Sequence, residues 1–331
     1  MPSREASHQK LQLYKNIYSQ LRDKLHWKVG DQRTLFMVAS MYAINGRSFD
    51  INRFMELSDY IKAQVGLFST LKSSTRFAVA AMLDLPYEQP KEKFQEFIEL
   101  YEKLVSDGFS RSVFTYIAAL VMLTQDELNS NQEDSIKRIM QVYNGMKSNH
   151  FFLTSSNDYP LAVLLSNQPG SIEELMNRVE SFYEQLNKNE FRRGNDLQFL
   201  SHILALNHGV PQDKLIERCT SLADGFKTSW LSPKGQHYPS IGLLSLLEDG
   251  LNAYELALEL AKDLTNEKHF KWHKDLNLTI AIHLVMSNYV EDSLSLETGL
   301  YTTMETIIQA QQAAMVAMIS ASSVATTDSS S

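Results

Sequence analysis

Apolar residues recur along this chain in runs of seven to ten positions, and successive runs begin about 40 residues apart. Each run is followed by a more charged stretch in which apolar residues return with the 3.6-residue period of a helix. A fixed period of this length is typical of stacked supersecondary units. The runs are Leu35–Ile44, Phe77–Leu85, Phe114–Leu123, Tyr159–Leu165, Leu197–Leu206, Tyr238–Leu247 and Leu278–Met286.

The charged stretches carry recognisable helix boundaries. Pro90 stands at a predicted helix start, and Asp107-Gly108 stands where that helix should end. Ser171 and Glu174 have the spacing of a capping box, in which each residue hydrogen-bonds the backbone of the other. Asn252 is predicted to cap a later helix. These stretches are therefore predicted to be amphipathic helices, each the second member of a helical pair.

The apolar runs are predicted to be the first members of the pairs. Val113–Leu123 is apolar nearly all round, as expected for a helix buried by neighbours on several sides. A buried strand is the alternative, but the runs are rich in Ala, Leu and Met and are not joined by hairpin turns. We therefore predict an all-α fold, with residues 1–306 forming one array of six or seven αα-hairpins. An open superhelical solenoid and a closed α/α toroid both fit.

The C-terminal residues 307–331 depart from the pattern. Ala and Met dominate from Ile307 onward and favour a helix, whereas the Ser/Thr tail from Ser322 is predicted to be disordered. The apolar part is too short to span a bilayer. It is expected either to cap the last repeat or to dock on a partner or a membrane surface.

Composition excludes several classes of protein. The formal net charge of −8 argues against a dedicated nucleic-acid binder. The single Cys219 excludes an internal disulfide framework and a multi-cysteine zinc site. No secretory signal and no apolar stretch of spanning length is visible, so we expect a cytoplasmic location.

The repeat brings one set of polar and aromatic residues to equivalent positions, just before or at the start of the apolar helices. If they lie along one rim, they could form a ligand-binding row or act as acid and base. The alternative is that Asp residues there cap helices and that Tyr-Pro forms an aromatic wedge with Pro in the first turn. The candidate ligand-binding residues are Asp158, Tyr159, Asp196, His237, Tyr238 and Asp275.

Other possible sites are weaker. His269 and His273 have metal-ligand spacing if their segment is helical, but a third ligand is missing. His202 and His283 fall within apolar runs and are expected to be hydrogen-bonded core or groove-wall residues. Cys219 is expected to be a small buried side chain rather than a nucleophile. No metal, cofactor or catalytic residue is predicted.

The chain resembles a family of uncharacterised proteins found mainly in Bacillus-type Firmicutes and catalogued as a domain of unknown function. The resemblance rests on Asn157–Leu165, on Leu200–Leu206 and on the Ala/Met-rich segment from Ala310. It implies a cytoplasmic, bacterial, helical protein and carries over no catalytic residue.

Phosphate-loop, zinc-helix, nucleophile-elbow and dinucleotide-fingerprint motifs are absent from the sequence. We therefore predict a non-catalytic helical-repeat scaffold that binds a protein or peptide on its concave face. The alternative is an α/α-toroid enzyme, hydrolase-like or lyase-like, with an acidic and histidine-bearing site at the rim.

Overall fold

The computed structural model describes residues 4–67, 69–125, 131–229, 234–291, 304, 307–308 and 310–320. Throughout these ranges the regular secondary structure is helical, which confirms the all-α prediction. The α-helices are α1 (Arg4–Leu25), α2 (Arg33–Asn45), α3 (Ile51–Gln64), α4 (Thr75–Asp84), α5 (Pro90–Ser106), α6 (Val113–Leu123), α7 (Gln132–Asn149), α8 (Tyr159–Ser166), α9 (Ile172–Lys188), α10 (Asn195–Ala205), α11 (Gln212–Thr228), α12 (Tyr238–Ser245), α13 (Gly250–Asn266) and α14 (Lys274–Glu291). Short 3₁₀ turns occur at Thr70–Lys72, Ser156–Asp158 and Gly235–His237.

The chain divides into two compact units. Unit 1 comprises the described residues within 1–11, 148–153 and 168–309, and unit 2 comprises those within 12–147, 154–167 and 310–331. In unit 2, α2 packs on α4, α4 on α6 and α6 on α8, while α3 and α5 pack against α4 and α6. In unit 1, α10 packs on α12 and α12 on α14, while α9, α11 and α13 flank them. In each unit the more apolar helices thus contact one another and the amphipathic helices lie beside them.

Burial follows the sequence pattern closely. In α6 every residue except Phe114 is buried, as predicted for a helix covered on all sides. In α5 the buried residues include Phe94, Phe97 and Leu104, and Pro90 opens the helix as expected. Ile98, next to the buried Phe97, is half-exposed.

The capping predictions are mostly confirmed. Ser171 Oγ accepts a hydrogen bond from Glu174 N at 3.1 Å, and Ser171 N donates to Glu174 Oε2 at 2.8 Å. Asn252, in contrast, is not a cap, because α13 already begins at Gly250. A β-carbon at Gly250 would overlap the carbonyl oxygen of Leu244, so glycine permits this early, close start.

One kind of Phe–Tyr contact is found in both units with similar geometry. A phenylalanine after an amphipathic helix packs edge-on against the tyrosine that opens a short apolar helix, at ring distances of 4.5 and 4.9 Å. The tyrosine hydroxyl accepts a hydrogen bond from the backbone N–H that follows the phenylalanine. The two sets are Phe109, Ser110 and Tyr159 in unit 2, and Phe191, Arg192 and Tyr238 in unit 1.

Arginine side chains bind the carboxyl ends of short helices. Helix C-termini carry carbonyl groups without intrahelical partners and a partial negative charge. A guanidinium group donates hydrogen bonds to these carbonyl groups, and its positive charge interacts favourably with the partial charge. Arg138, Arg178 and Arg218 are spaced 40 residues apart, and each guanidinium group donates to a backbone carbonyl group of its own unit. The contacts are Arg138 to Ser166 O at 2.7 Å, Arg178 to Asn207 O, and Arg218 to Ser245 O and Leu246 O at 3.2 and 3.3 Å.

The chain ends are held by buried contacts. In unit 1, Lys10 Nζ of α1 donates to Ser287 Oγ of α14 at 2.8 Å, and Asn288 Nδ2 donates to Ser7 Oγ at 2.8 Å. In unit 2, residues 310–320 are helical and bury Ala310, Ala313, Val316 and Ala317. The predicted disordered tail from 322 lies outside the described residues. Within the part that is described, no helix combines the length and apolar character needed to cross a bilayer.

We predict that Arg218→Met lowers the free energy of unfolding by about 1.5–3 kcal/mol, because charged hydrogen bonds to two carbonyl groups are lost. Urea denaturation followed by circular dichroism measures the change. Arg192→Met, at an exposed position, is the control and should stay within about 0.5 kcal/mol of the wild type. An unchanged denaturation midpoint for Arg218→Met would contradict a role for these contacts.

Candidate functional site

The four predicted polar residues all lie where the apolar helices begin. Asp158 ends the turn before α8 in unit 2. In unit 1, His237 ends the turn before α12, and Asp196 and Asp275 are the second residues of α10 and α14. Their positions along the elements therefore match the sequence pattern, and their contacts indicate what each can do.

Asp158 serves its own turn. Its Oδ2 accepts a hydrogen bond from Ser155 N at 2.9 Å. Burial raises the pKa of Asp158 to about 6, and the bond from Ser155 opposes this rise. The carboxylate is thus occupied by a local backbone amide of the preceding turn and does not cap α8 itself.

His237 and Asp275 form a hydrogen-bonded pair. His237 Nδ1 accepts from Lys234 N at 3.3 Å, so the proton resides on Nε2, which donates to Asp275 Oδ1 at 3.2 Å. Lys234 Nζ also donates to Asp275 Oδ2 at 2.9 Å. Both imidazole nitrogens are engaged, and the ring is buried.

The pKa values agree with this arrangement. Burial lowers the pKa of His237, and the Asp275 carboxylate opposes that effect only in part. Burial raises the pKa of Asp275, but hydrogen bonds from Lys234 and Gln236 outweigh it, so the net pKa lies below its usual value. A neutral imidazole therefore donates to an ionised carboxylate, and this pair joins the turn before α12 to the start of α14.

Asp196 contacts the same turn. Its carboxylate lies directly against Gly235, where a β-carbon would overlap it. Although Asp196 is exposed overall, partial burial of the carboxylate raises its pKa. The structure thus brings Asp196, His237 and Asp275 into one series of contacts within unit 1, while Asp158 belongs to unit 2.

The two candidate tyrosines point inward. Tyr159 and Tyr238 are buried, and each hydroxyl accepts a backbone hydrogen bond, from Ser110 N at 3.2 Å and from Arg192 N at 2.9 Å. Pro160 and Pro239 follow in the first turn of each helix. These side chains form the predicted aromatic wedge at the helix start.

The remaining candidates are also accounted for. His269 and His273 lie in the turns between α13 and α14, so the helical spacing that would bring them together is not formed. Across the described ranges, no group of three or more His, Cys, Asp or Glu side chains is placed to hold a metal ion. Cys219 is fully buried, and burial raises the pKa of its thiol to about 12.

His202 and His283 are both fully buried, in α10 and α14. Burial lowers the pKa of His202 to about 4, the carbonyl of Gln198 opposes the shift, and the nearby His150 adds to it. His150 itself lies 3.0 Å from Glu180 and packs on Tyr183. His202 is therefore a neutral core residue, in line with its apolar surroundings in the sequence.

A cleft in unit 2 was not predicted from the sequence. It has a volume of about 430 Å³ and lies between the segment after α3, helix α5 and the start of α6. Tyr101 and Tyr116 stack in parallel at its base, with ring centroids 3.9 Å apart. Ile98 and Val65 contribute apolar surface, and Gln64 contributes an amide. The half-exposure of Ile98 is explained by this cleft.

An ion pair borders the cleft. Arg111 binds both carboxylate oxygens of Glu102, at 2.9 and 2.7 Å, and this hydrogen bonding lowers the pKa of Glu102. Ser112 caps α6 by accepting from Thr115 N. The charges at the border are thus mutually neutralised, and hydroxyl and amide groups remain.

A second feature is a series of loops in unit 1, here called the loop edge. It comprises residues 148–153, 188–196, 227–229, 234–237 and 267–275. Exposed aromatic side chains stand on it, and the sequence signal was the doublet Phe151-Phe152 and the Trp272 that follows Phe270. Phe270 is buried whereas Phe151, Phe152 and Trp272 are exposed, because a short loop turns only part of such a cluster inward.

The chain is similar to known sequences over nearly its whole length. A family model described as "Protein of unknown function (DUF4003)" matches residues 17–313. The uncharacterized protein YeaA of Bacillus subtilis (strain 168) is 40% identical over 319 residues, which are 96% of each chain. No solved structure matches. The chain belongs to the DUF4003 family, and the resemblance stated from the sequence is confirmed.

We predict that His202 makes stability fall as the pH is lowered. The unfolded state binds a proton near pH 6.5, while the folded state resists protonation to about pH 4, so stability is lost between these values. The loss should reach about 2.5 kcal/mol near pH 4.5. Urea denaturation at several pH values measures it.

In His202→Leu that component of the pH dependence should disappear. The control, His26→Leu at an exposed position, should retain it, because His202 is still present. If His202→Leu and the wild type lose stability in parallel between about pH 6.5 and 4.5, then His202 does not titrate as the structure indicates.

Proposed function

We propose that this member of the DUF4003 family is a non-catalytic helical-repeat protein that binds a protein or peptide partner, with the cleft of unit 2 as the binding site. The observation that carries the proposal is the cleft itself, whose volume of about 430 Å³ lies within the usual range for binding sites. The proposal keeps the cytoplasmic location expected from the sequence.

Recurring contacts support the helical-repeat part of the proposal. Arg138, Arg178 and Arg218 are 40 residues apart and bind the ends of successive short helices. The Phe–Tyr contact at the start of α8 recurs at the start of α12 with nearly the same interplanar angle, 63° and 65°. Equivalent residues doing equivalent work at a fixed spacing are what a repeat predicts.

The chemistry of the cleft suits an uncharged peptide segment. Ile98 and Val65 offer aliphatic contact, while Gln64 and the hydroxyl of Ser69 offer hydrogen bonds to a backbone. Because Arg111 and Glu102 neutralise each other, a charged ligand group would find no free counter-charge there. We therefore favour a segment that inserts an aliphatic side chain beside Ile98.

The alternative function, an α/α-toroid enzyme with its site where the apolar helices begin, has weaker support. A general base needs a nitrogen free to accept a proton, and both nitrogens of His237 are hydrogen-bonded. Tyr159 and Tyr238 are buried with their hydroxyls occupied. These contacts favour a structural role for the polar row, which comprises Asp158, Asp196, His237 and Asp275.

The test is to select peptides on the immobilised wild-type protein from a random displayed library and to measure their affinities. Ile98→Lys should weaken the selected peptides at least about tenfold, because a charge would replace the aliphatic contact in the cleft. Leu251→Lys, at a partly exposed apolar position in unit 1, is the matched control and should leave affinity unchanged.

Two outcomes would refute the proposed site. Either no peptide is enriched over a surface lacking the protein, or enriched peptides bind Ile98→Lys and the wild type equally well. Circular dichroism of both variants checks that the fold is retained, which is expected because neither side chain is fully buried.

A further inference from the structure

We propose that the loop edge of unit 1 binds an anionic lipid surface, through exposed aromatic side chains that enter the headgroup region and basic side chains that contact phosphate. The loop edge belongs to unit 1 and shares no residue with the cleft of unit 2, so the proposal does not rest on peptide binding.

Contacts tie the loops of this edge to one another. The ring of Tyr183 packs on His150, and its hydroxyl accepts from Gly194 N at 3.2 Å, which links the first loop to the second. Lys227 Nζ donates to Glu190 Oε2 at 2.9 Å. Lys234 Nζ, finally, donates to Asp275 Oδ2 at 2.9 Å. The loops therefore form one continuous edge.

The aromatic side chains on the edge are exposed to an unusual degree. Phe152 is 96% exposed, Trp272 81% and Phe151 63%, although large apolar side chains are normally buried. The core beneath them is already filled, since Phe191 and Phe270 from the same loops are buried. Phe152 and Trp272 thus leave most of their apolar surface in contact with solvent.

Basic residues predominate on the same edge. Its segments contain eight Lys and Arg but four Asp and Glu, in a chain whose net charge is −8. Two of the four acids, Glu190 and Asp275, are already paired with Lys227 and Lys234. Arg192 and Arg193 are exposed, and Lys271 lies 4.7 Å from the ring of Trp272. The edge is therefore positive and aromatic at once.

This combination favours a lipid surface over an acidic protein. Trp and Phe beside Lys and Arg are typical of segments that lie in the membrane interface, where the rings reach headgroup level and cations contact anionic lipids. Protein interfaces, by contrast, gather aromatic anchors into one central, water-excluding cluster. Here Phe151 and Phe152 stand on one loop and Trp272 on another, and Lys271 lies over the ring of Trp272.

The test is sedimentation of the purified full chain with vesicles of phosphatidylcholine, alone or with about one third phosphatidylglycerol. We expect binding to the anionic vesicles only, and weaker binding as salt is raised from about 0.05 to 0.5 M. Arg192→Glu with Arg193→Glu, and separately Phe152→Ser with Trp272→Ser, should each lower the partition coefficient at least about tenfold.

Trp27→Ser is the matched control, because Trp27 is 90% exposed but lies in unit 2. It should bind the anionic vesicles like the wild type. A wild-type chain that does not sediment with anionic vesicles overturns the proposal, and so does an equal loss of binding in Trp27→Ser. If an acidic peptide such as polyglutamate is bound with the same variant pattern while vesicles are not, the edge recognises protein rather than lipid.

A second readout tests insertion itself. The chain has three tryptophans, so Trp27→Phe with Trp230→Phe leaves Trp272 as the sole tryptophan. Its fluorescence should shift to shorter wavelength when anionic vesicles are added and remain unchanged with neutral ones. Binding without any shift would overturn the claim that Trp272 enters the headgroup region.

Discussion

Short helices buried on all sides must have their end groups hydrogen-bonded, because unpaired N–H and C=O groups cannot be left away from water. In this protein α8 and α12 are only eight residues long, so their ends make up much of each helix. Arg138 and Arg218 supply charged donors at their carboxyl ends. At their amino ends Asp158 and His237 close the preceding turns, by accepting from Ser155 N and Lys234 N, and do not themselves cap the helices.

This constraint explains why the row of polar residues looks like a site in the sequence. A repeat that needs the same helix end satisfied in every copy places polar residues at a fixed spacing, just as a repeated binding site would. The contacts separate the two interpretations: Asp158 accepts a local amide, and His237 is held between Lys234 and Asp275. Surface left free of such duties is found at the cleft of unit 2 and in the exposed aromatic and basic side chains of the loop edge of unit 1.

The all-α class and the buried helix faces were predictable because burial imposes a period that is visible in one sequence. The capping box at Ser171 was predictable because it is local. The start of α13 was not, because it depends on contact between Gly250 and Leu244. The arginine contacts and the cleft were missed for the same reason. They join residues that are distant in the chain, and the sequence does not say which helix end Arg218 contacts.

His237 gives the most direct test of whether the polar row holds turns and neighbouring segments together rather than performing chemistry. Nitrogen NMR of the imidazole in the wild-type protein reports which nitrogen carries the proton and when the ring titrates. If the polar row is structural, we expect the His237 ring to be neutral at neutral pH, with the proton on Nε2 and a pKa below the usual value. A proton on Nδ1, or a ring already protonated near pH 7, would contradict it.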